Sequence, residues 1–499
     1  MPKLKHQLKL IVGFLIVTSL TFKIKNTKKI HCQSKNNQTL IANIDQQLAD
    51  FDLAVLKSKQ SLVINADLIQ LQTYVKQKRL TYTEIMAIYL MRIKELDQNE
   101  GGLNAFISIN PNAILQARKC DQQQLNTSIL YGLAVAIKDN INTSDLPTTG
   151  GTVALANFVP FEDATIVTNL KAAGAIVIGK TNLSELANFM SEKNPNGFSN
   201  IKGQTLNPYG PKTISTLGSS AGSAVAMAAS FASLAIGTET SGSIVAPSAI
   251  LKVVGFKPSQ DLALNKGVIP LAQSLDTVGP ICKNIKDTML AYCAMAKTKL
   301  DLEKLDKNYL KNKTVIIFKE DQANSRLLNL LKALEVNYQI VERKVFDNQV
   351  YQIILKEFAT NLQTYCKTYQ APITSLKSLV AFNQKDLKNR AQYGQNLLEL
   401  ALSDKQISQQ AIDNYLNVAK KELENLITPS VIGILFMDND YSEFPCLAHA
   451  PELTVPFYLD SHQKPHGLTI VTKPHAELEA LKIGYAIEQY LLTNSSTII

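Results

Sequence analysis

Two Gly-Ser clusters stand close together in residues 217–247, LGSSAGSAVAMAASFASLAIGTETSGSIVAP. Glycine and serine favour ordinary turns, so the clusters alone carry no chemistry. Serine hydroxyls held on such turns become nucleophiles for covalent catalysis when a neighbouring base removes the proton. The commonest base is missing nearby: the chain has six histidines, and none lies between His31 and His449. Lysine is the remaining candidate, and Lys138 ends the apolar run of Ala134-Val-Ala-Ile-Lys-Asp-Asn140. A lysine at a strand end is ordinarily a solvated charge. Held in a dry site it loses the charged form, because burial penalises ions. Free lysine, with a pKa of about 10.4, is only about 0.04% neutral at pH 7. A drop of about three units, roughly 4 kcal/mol of work by the fold, makes it a usable general base.

Two short motifs in this region fail on physical grounds. Gly174-AIVI-Gly179-Lys180-Thr181 matches the phosphate-loop pattern GxxxxGK[ST]. Its four intervening residues read as a strand, not as a loop whose N–H groups can curl around a phosphate. Gly218-Ser219-Ser220-Ala221-Gly222 matches the GxSxG nucleophile elbow. That elbow needs a strand feeding straight into it. Here the feeder IKGQTLNPYGPKTIST reads as loop, and the histidine would have to be His449, His462, His466 or His475.

The elements that must position these residues are legible from the hydrophobic pattern. LAVAI (133–137), AIVIG (175–179), SLAIG (233–237) and LKVVG (251–255) read as buried strands, with helical stretches at 163–173 and 221–231. Strand–helix alternation predicts an α/β fold, one large α/β/α domain with a central mixed sheet flanked by helices. Residues 36–80 are polar with a helical pattern. Thr81-Tyr-Thr-Glu84 is a capping box, followed by Ile85, Tyr89, Ile93 and Leu96 at helical spacing. Residues 300–430 are rich in Lys, Leu, Asn and Gln at helical spacing, with one strand-like run, TVIIF (314–318). Strand-like LTVPF (453–457) and LTIVT (468–472) follow, then a helix from about Ala476. No internal repeat or long linker divides residues 36–499, which are expected to form one domain.

Composition bounds the function classes. In 499 residues, 45% hydrophobic and 19% charged side chains describe a globular chain with ample core material. The net charge of +9 is local: residues 1–35 hold eight lysines and no acidic residue, so the rest is within about one charge of neutral. A nucleic-acid-binding body is therefore not expected. Residues 10–22, LIVGFLIVTSLTF, are too short to span a bilayer, which takes about 20 apolar residues. They fit the core of a signal peptide after a positive start, or a membrane anchor if left uncut. No small-x-small cleavage site follows, and Lys23 and Lys25 come directly after the run. Residues 1–35 are thus expected to be an export signal or anchor, with a cytoplasmic location as the alternative. The six cysteines (Cys32, Cys120, Cys282, Cys293, Cys366, Cys446) form no CxxC pair, which argues against a zinc ribbon. They read as buried thiols, with one or two bridges open to an exported chain.

AVAIKDN (134–140), PTTGG (147–151), AGAIVIGKTNLSELANF (173–189), LGSSAGS (217–223) and GTETSGSIVAPS (237–248) resemble, in order and spacing, the amidase signature family. VVGFKPS (253–259), GVIPLAQSLDTVGP (267–280) and LTVP (453–456) continue the match, strong over about 80–290 and weak over 440–499. The GTETSGS variant looks closer to the peptide-amidase-like branch. The resemblance implies an amide hydrolase without cofactor or metal, using a Ser–cisSer–Lys triad. Ser243 is the implied nucleophile, Ser219 the bridging serine on a cis peptide bond, and Lys138 the base. The backbone N–H groups of Thr240, Ser241, Gly242 and Ser243 are implied as the oxyanion hole. Ser220 is expected to support the network by bonding to Lys138. A region like 300–430 is implied to face the substrate, a small-molecule or peptide amide. The competing readings are a glutamine-hydrolysing component of a tRNA-dependent amidotransferase, which needs partner subunits, and a non-enzymatic binding protein. Three positions depart from the family pattern: Ser241 stands before Gly242 where Gly-Gly is common, Glu239 where Asp is common, and Ala221 where Gly or Ser is common.

Overall fold

The apolar runs become neighbouring strands because β-rich segments buried on both faces read as continuous hydrophobic stretches. The computed structural model describes residues 37–494 except 65, 124–127, 347 and 404–406. Its strands are β1 (Phe106–Ile109), β2 (Ala134–Lys138), β3 (Ile176–Thr181), β4 (Phe198–Ser199), β5 (Gly203–Gln204), β6 (Leu234–Glu239), β7 (Val254–Lys257) and β8 (Thr277–Cys282). They continue as β9 (Thr314–Phe318), β10 (Asn337–Val341), β11 (Gly433–Met437), β12 (Glu452–Leu459) and β13 (Pro465–Val471). Eleven of them form one sheet in the order β1-β3-β2-β6-β8-β7-β12-β13-β11-β9-β10, and β4 pairs β5 separately. The sheet is mixed: β2 runs parallel to β3 and β6, whereas β6–β8, β7–β8 and β12–β13 are antiparallel.

Both faces are covered by helices. Along β9, Ile316 and Phe318 enter one apolar cluster with helices Gln349–Tyr369 and Gln409–Leu426, while Val315 and Ile317 enter another with helix Glu477–Thr493. That alternation is the period-2 side-chain pattern of a strand between two helical layers. Helix Ala221–Ala228 packs over β2, β3 and β6, its small residues allowing close approach. The tail 1–35, with its apolar run 10–22 and Cys32, lies outside the described residues. Among the described residues no helix is long and apolar enough to cross a membrane.

Local expectations divide on tertiary context. The capping box at Thr81 and Glu84 is formed. Ile85, Tyr89 and Ile93 are buried, but Leu96 is 43% exposed. A π-helical turn over Ile93–Asp97 rotates it outward and turns the Asp97 carboxyl inward, where it caps Ala105 and Phe106 N–H. LKVVG becomes strand only from Val254, because Leu251–Val253 finish the turn after helix Val245–Ile250. The five described cysteines are free thiols. Three are buried, and Cys120 and Cys293 are only partly so.

Candidate active site

The apolar run Ala134–Ile137 carries Lys138 into the interior, where its side chain is fully buried. β6 lies parallel to β2 with Ile137 opposite Ile236, so Thr238 and Glu239 emerge beside Lys138 at the same end of the sheet. Ligands of α/β sheets gather at such carboxyl ends. Lys138 Nζ is 2.8 Å from Ser219 Oγ and 2.8 Å from Thr238 Oγ1, and it donates to Thr238 O at 3.1 Å. Asn140 Nδ2 donates to the same Thr238 hydroxyl at 3.0 Å. Burial lowers the Lys138 pKa to about 7, against the opposing pull of the Asp276 and Glu239 carboxylates. The ammonium form is disfavoured because no carboxylate touches Nζ among the described residues, while water is excluded.

Ser219 follows a cis peptide bond from Gly218, and its carbonyl accepts Ser184 N–H at 3.1 Å. The next residue ties the two serine turns together: Ser220 N donates to Ser243 O at 3.1 Å. Ser220 Oγ does not meet Lys138, contrary to the expectation from resemblance. It donates to Thr238 O at 3.0 Å and accepts from Thr238 N at 3.2 Å, because it opens helix Ala221–Ala228 beneath β6. Wholly buried and spent on the strand, it is also no exposed elbow nucleophile. Lys180, of the phosphate-loop pattern, is buried too. It pairs with Asp139 at 3.2 Å and donates to Thr148 Oγ1 and Pro147 O, a strut between β3 and the PTTGG loop.

The turn 240–243 follows β6. Thr240 Oγ1 donates to Asp276 Oδ1 at 2.5 Å, and Gly242 adopts φ +75°. Among the described residues no hydrogen bond is donated by the N–H groups of Thr240, Ser241, Gly242 or Ser243. The next two N–H groups, Ile244 and Val245, are taken by Glu239 Oε2 at 2.6 and 3.0 Å. Ser243 lies on this turn, 9% exposed. No hydrogen bond joins its Oγ to Ser219 Oγ among the described residues. Hydrogen bonds between catalytic groups commonly tighten only around substrate. No group of three or more His, Cys, Asp or Glu among the described residues is placed to hold a metal ion.

Sequence reasoning missed Thr238 and Asp276. Asp276 accepts Leu271 and Ala272 N–H as well as the Thr240 hydroxyl, and burial raises its pKa to about 6. Its signal was present, a lone carboxylate in the apolar stretch GVIPLAQSLDTVGP. The middle region reaches the same end of the sheet: Tyr365 of helix Gln349–Tyr369 donates to Asn142 Oδ1 at 2.5 Å. A cavity of about 270 Å³ lies beside Asp276, with Tyr365 and Tyr369 on its wall.

Residues 84–481 match the family model described as Amidase. The fold superposes on an amidase family protein from Bacillus anthracis with a TM-score of 0.87 and 36% identity, over 93% of this chain and 98% of that one. It is also similar to the native peptide amidase from Stenotrophomonas maltophilia, TM-score 0.78 and 31% identity, over 85% and 97% of the two chains. A glutamyl-tRNA(Gln) amidotransferase component from Alkaliphilus metalliredigens is 31% identical over 473 residues, 83% of this chain and 94% of that protein. The chain belongs to the amidase signature family and is a hydrolase of amide C–N bonds.

Proposed function

We propose that this hydrolase cleaves a carboxylic or peptide amide through an acyl-Ser243 intermediate, with Ser219 relaying the proton to Lys138. The observation that carries the reading is the buried Lys138 amine, 2.8 Å from Ser219 Oγ, with its pKa lowered to about 7. Neutral Lys138 takes the proton of Ser219, which takes that of Ser243. Ser243 Oγ bonds to the amide carbon, and the oxygen becomes an oxyanion facing the N–H groups of Thr240 to Ser243. Collapse breaks the C–N bond, and the leaving nitrogen receives the proton held by Lys138. Water then attacks the ester, releasing the acid and restoring the Ser243 hydroxyl. Thr238 orients the amine through its hydroxyl and carbonyl, with Asn140 fixing the hydroxyl. The similarity to a peptide amidase supports an amidated peptide as substrate.

The second reading, ammonia production from glutamine within an amidotransferase, is favoured by the similarity to the Alkaliphilus protein. Purified alone, the chain is expected to release ammonia from simple amides and to take a fluorophosphonate label on Ser243. Ammonia release only with added amidotransferase subunits would overturn the first reading in favour of the second. Label on Ser220 would move the nucleophile.

The oxyanion turn makes its own prediction. At φ +75° a side chain is strained, and a Cβ on Gly242 would lie 3.3 Å from Asn439 Nδ2. G242A is expected to cost about 1–3 kcal/mol of backbone strain and to lower kcat about 10- to 100-fold. Thermal unfolding and ammonia release measure the two effects separately.

A further inference from the structure

Next to the turn that carries Ser243 lies a pair of carboxyls that the reaction does not use directly. Glu239 and Glu452 are 1% and 0% exposed and in side-chain hydrogen-bonding contact. Glu239 Oε2 accepts the N–H groups of Ile244 and Val245, the two residues after Ser243. Glu452 Oε1 accepts the hydroxyl of Ser442, whose Cβ would lie 3.7 Å from a Cβ built on Gly242. Glu239 Oε1 and Glu452 Oε2 have no other donor among the described residues. Two buried oxygens that only accept cannot satisfy each other unless a proton lies between them.

We propose that Glu452 is a positioning residue that keeps its proton and donates it to Glu239 Oε1, locking the carboxylate that grips the Ser243 turn. The charge balance agrees. On β7, Lys257 is buried opposite Glu452 and donates to Ala450 O at 2.5 Å. With Glu452 protonated, Lys257 and Glu239 cancel; with both carboxyls ionised, a net negative charge sits in a dry site. The other amine near the pair, Lys138, compensates only partly, because burial disfavours its ammonium form. Cys446, on helix Glu443–Leu447, faces both carboxyls, and its thiol is pushed well up, by burial first and then by the Glu239, Glu452 and Asp276 charges against the opposing pull of Lys257. Lys138 feels Glu239 from across β6. Burial first, and then the Glu239 charge, push the Glu452 pKa well up.

The inference rests on Ser243 as nucleophile, and the test separates the two. E452L removes the proton donor and is expected to lower kcat about 10- to 100-fold with KM nearly unchanged. E452Q restores a neutral donor to Glu239 and an acceptor for Ser442, and is expected to recover most of kcat. Because the amide replaces a neutral acid, E452Q also leaves the acid limb of kcat/KM in place. Full kcat in E452L, an E452Q loss as deep as that of E452L, or an acid limb moved to lower pH in E452Q would overturn the proposal. Should E452L fail to fold, the E452Q kcat and acid limb decide alone. Amide cleavage by S243A would sink the nucleophile assignment instead, whatever the Glu452 variants do.

Discussion

Replacing Ser243 with alanine is expected to lower kcat for amide hydrolysis by about 10⁴- to 10⁶-fold, leaving the fold intact. The change deletes one oxygen from a small side chain on the turn after β6 and disturbs none of the backbone bonds that shape the turn. Ser243 O still accepts Ser220 N–H, and Glu239 still holds Ile244 and Val245. What disappears is the atom proposed to form the acyl bond. The residual rate reflects substrate binding and the N–H groups of Thr240 to Ser243, which survive the change. S219A removes the proposed relay rather than the proposed nucleophile and is expected to fall short of the S243A loss. The double variant is expected to be no worse than S243A, because residues acting as one unit are not additive. Ammonia release from a simple amide measures all three, and an S243A enzyme that still cleaves amides would refute the acyl-serine route.

How far the sequence alone reaches depends on whether a residue's environment is local. Lys138 could be singled out because four apolar residues lead straight into it, and β2 buries it, although a strand-end lysine is ordinarily solvated. The expectation that Ser219 works with Ser243 comes only from family resemblance. Nothing local distinguishes those serines from Ser220 and Ser223. Ser220 shows the limit: its neighbour Ser219 reaches Lys138, while its own hydroxyl is captured by Thr238 backbone from β6. Which serine wins is decided by helix placement, not by spacing. β8 is a similar case, a strand that holds a Gly-Pro dipeptide and that the hydrophobic pattern did not mark out. Yet Pro280 lies opposite Ile236 in mid-sheet, and Gly279 sits against Phe256 O where any Cβ would clash. Tertiary packing overrides the local rule there. The Glu239–Glu452 contact joins residues more than two hundred positions apart, through strands that no motif places side by side.

The pH dependence follows from the same amine. Only the neutral form of Lys138 can accept the serine proton, and its pKa is lowered to about 7. The free-enzyme profile of kcat/KM is therefore expected to be flat above about pH 8 and to fall through a midpoint near 7. Below the midpoint it drops about tenfold per pH unit, because each unit protonates the base tenfold further. The carboxylates shape the limb. Asp276 opposes the lowering, so D276N removes a negative charge and moves the midpoint to lower pH. In the native enzyme Asp276 itself takes up a proton near pH 6, which relieves its pull on Lys138 and makes the lower part of the limb shallower. K138R is the sharpest variant. Arginine cannot be deprotonated in a protein, so it fixes a cation at position 138 and removes the base at every pH. Its kcat is expected to fall by about 10²- to 10⁴-fold at every pH, with no acid limb near 7. An active K138R enzyme, or a wild-type midpoint two units from 7, would mean that another group takes the serine proton.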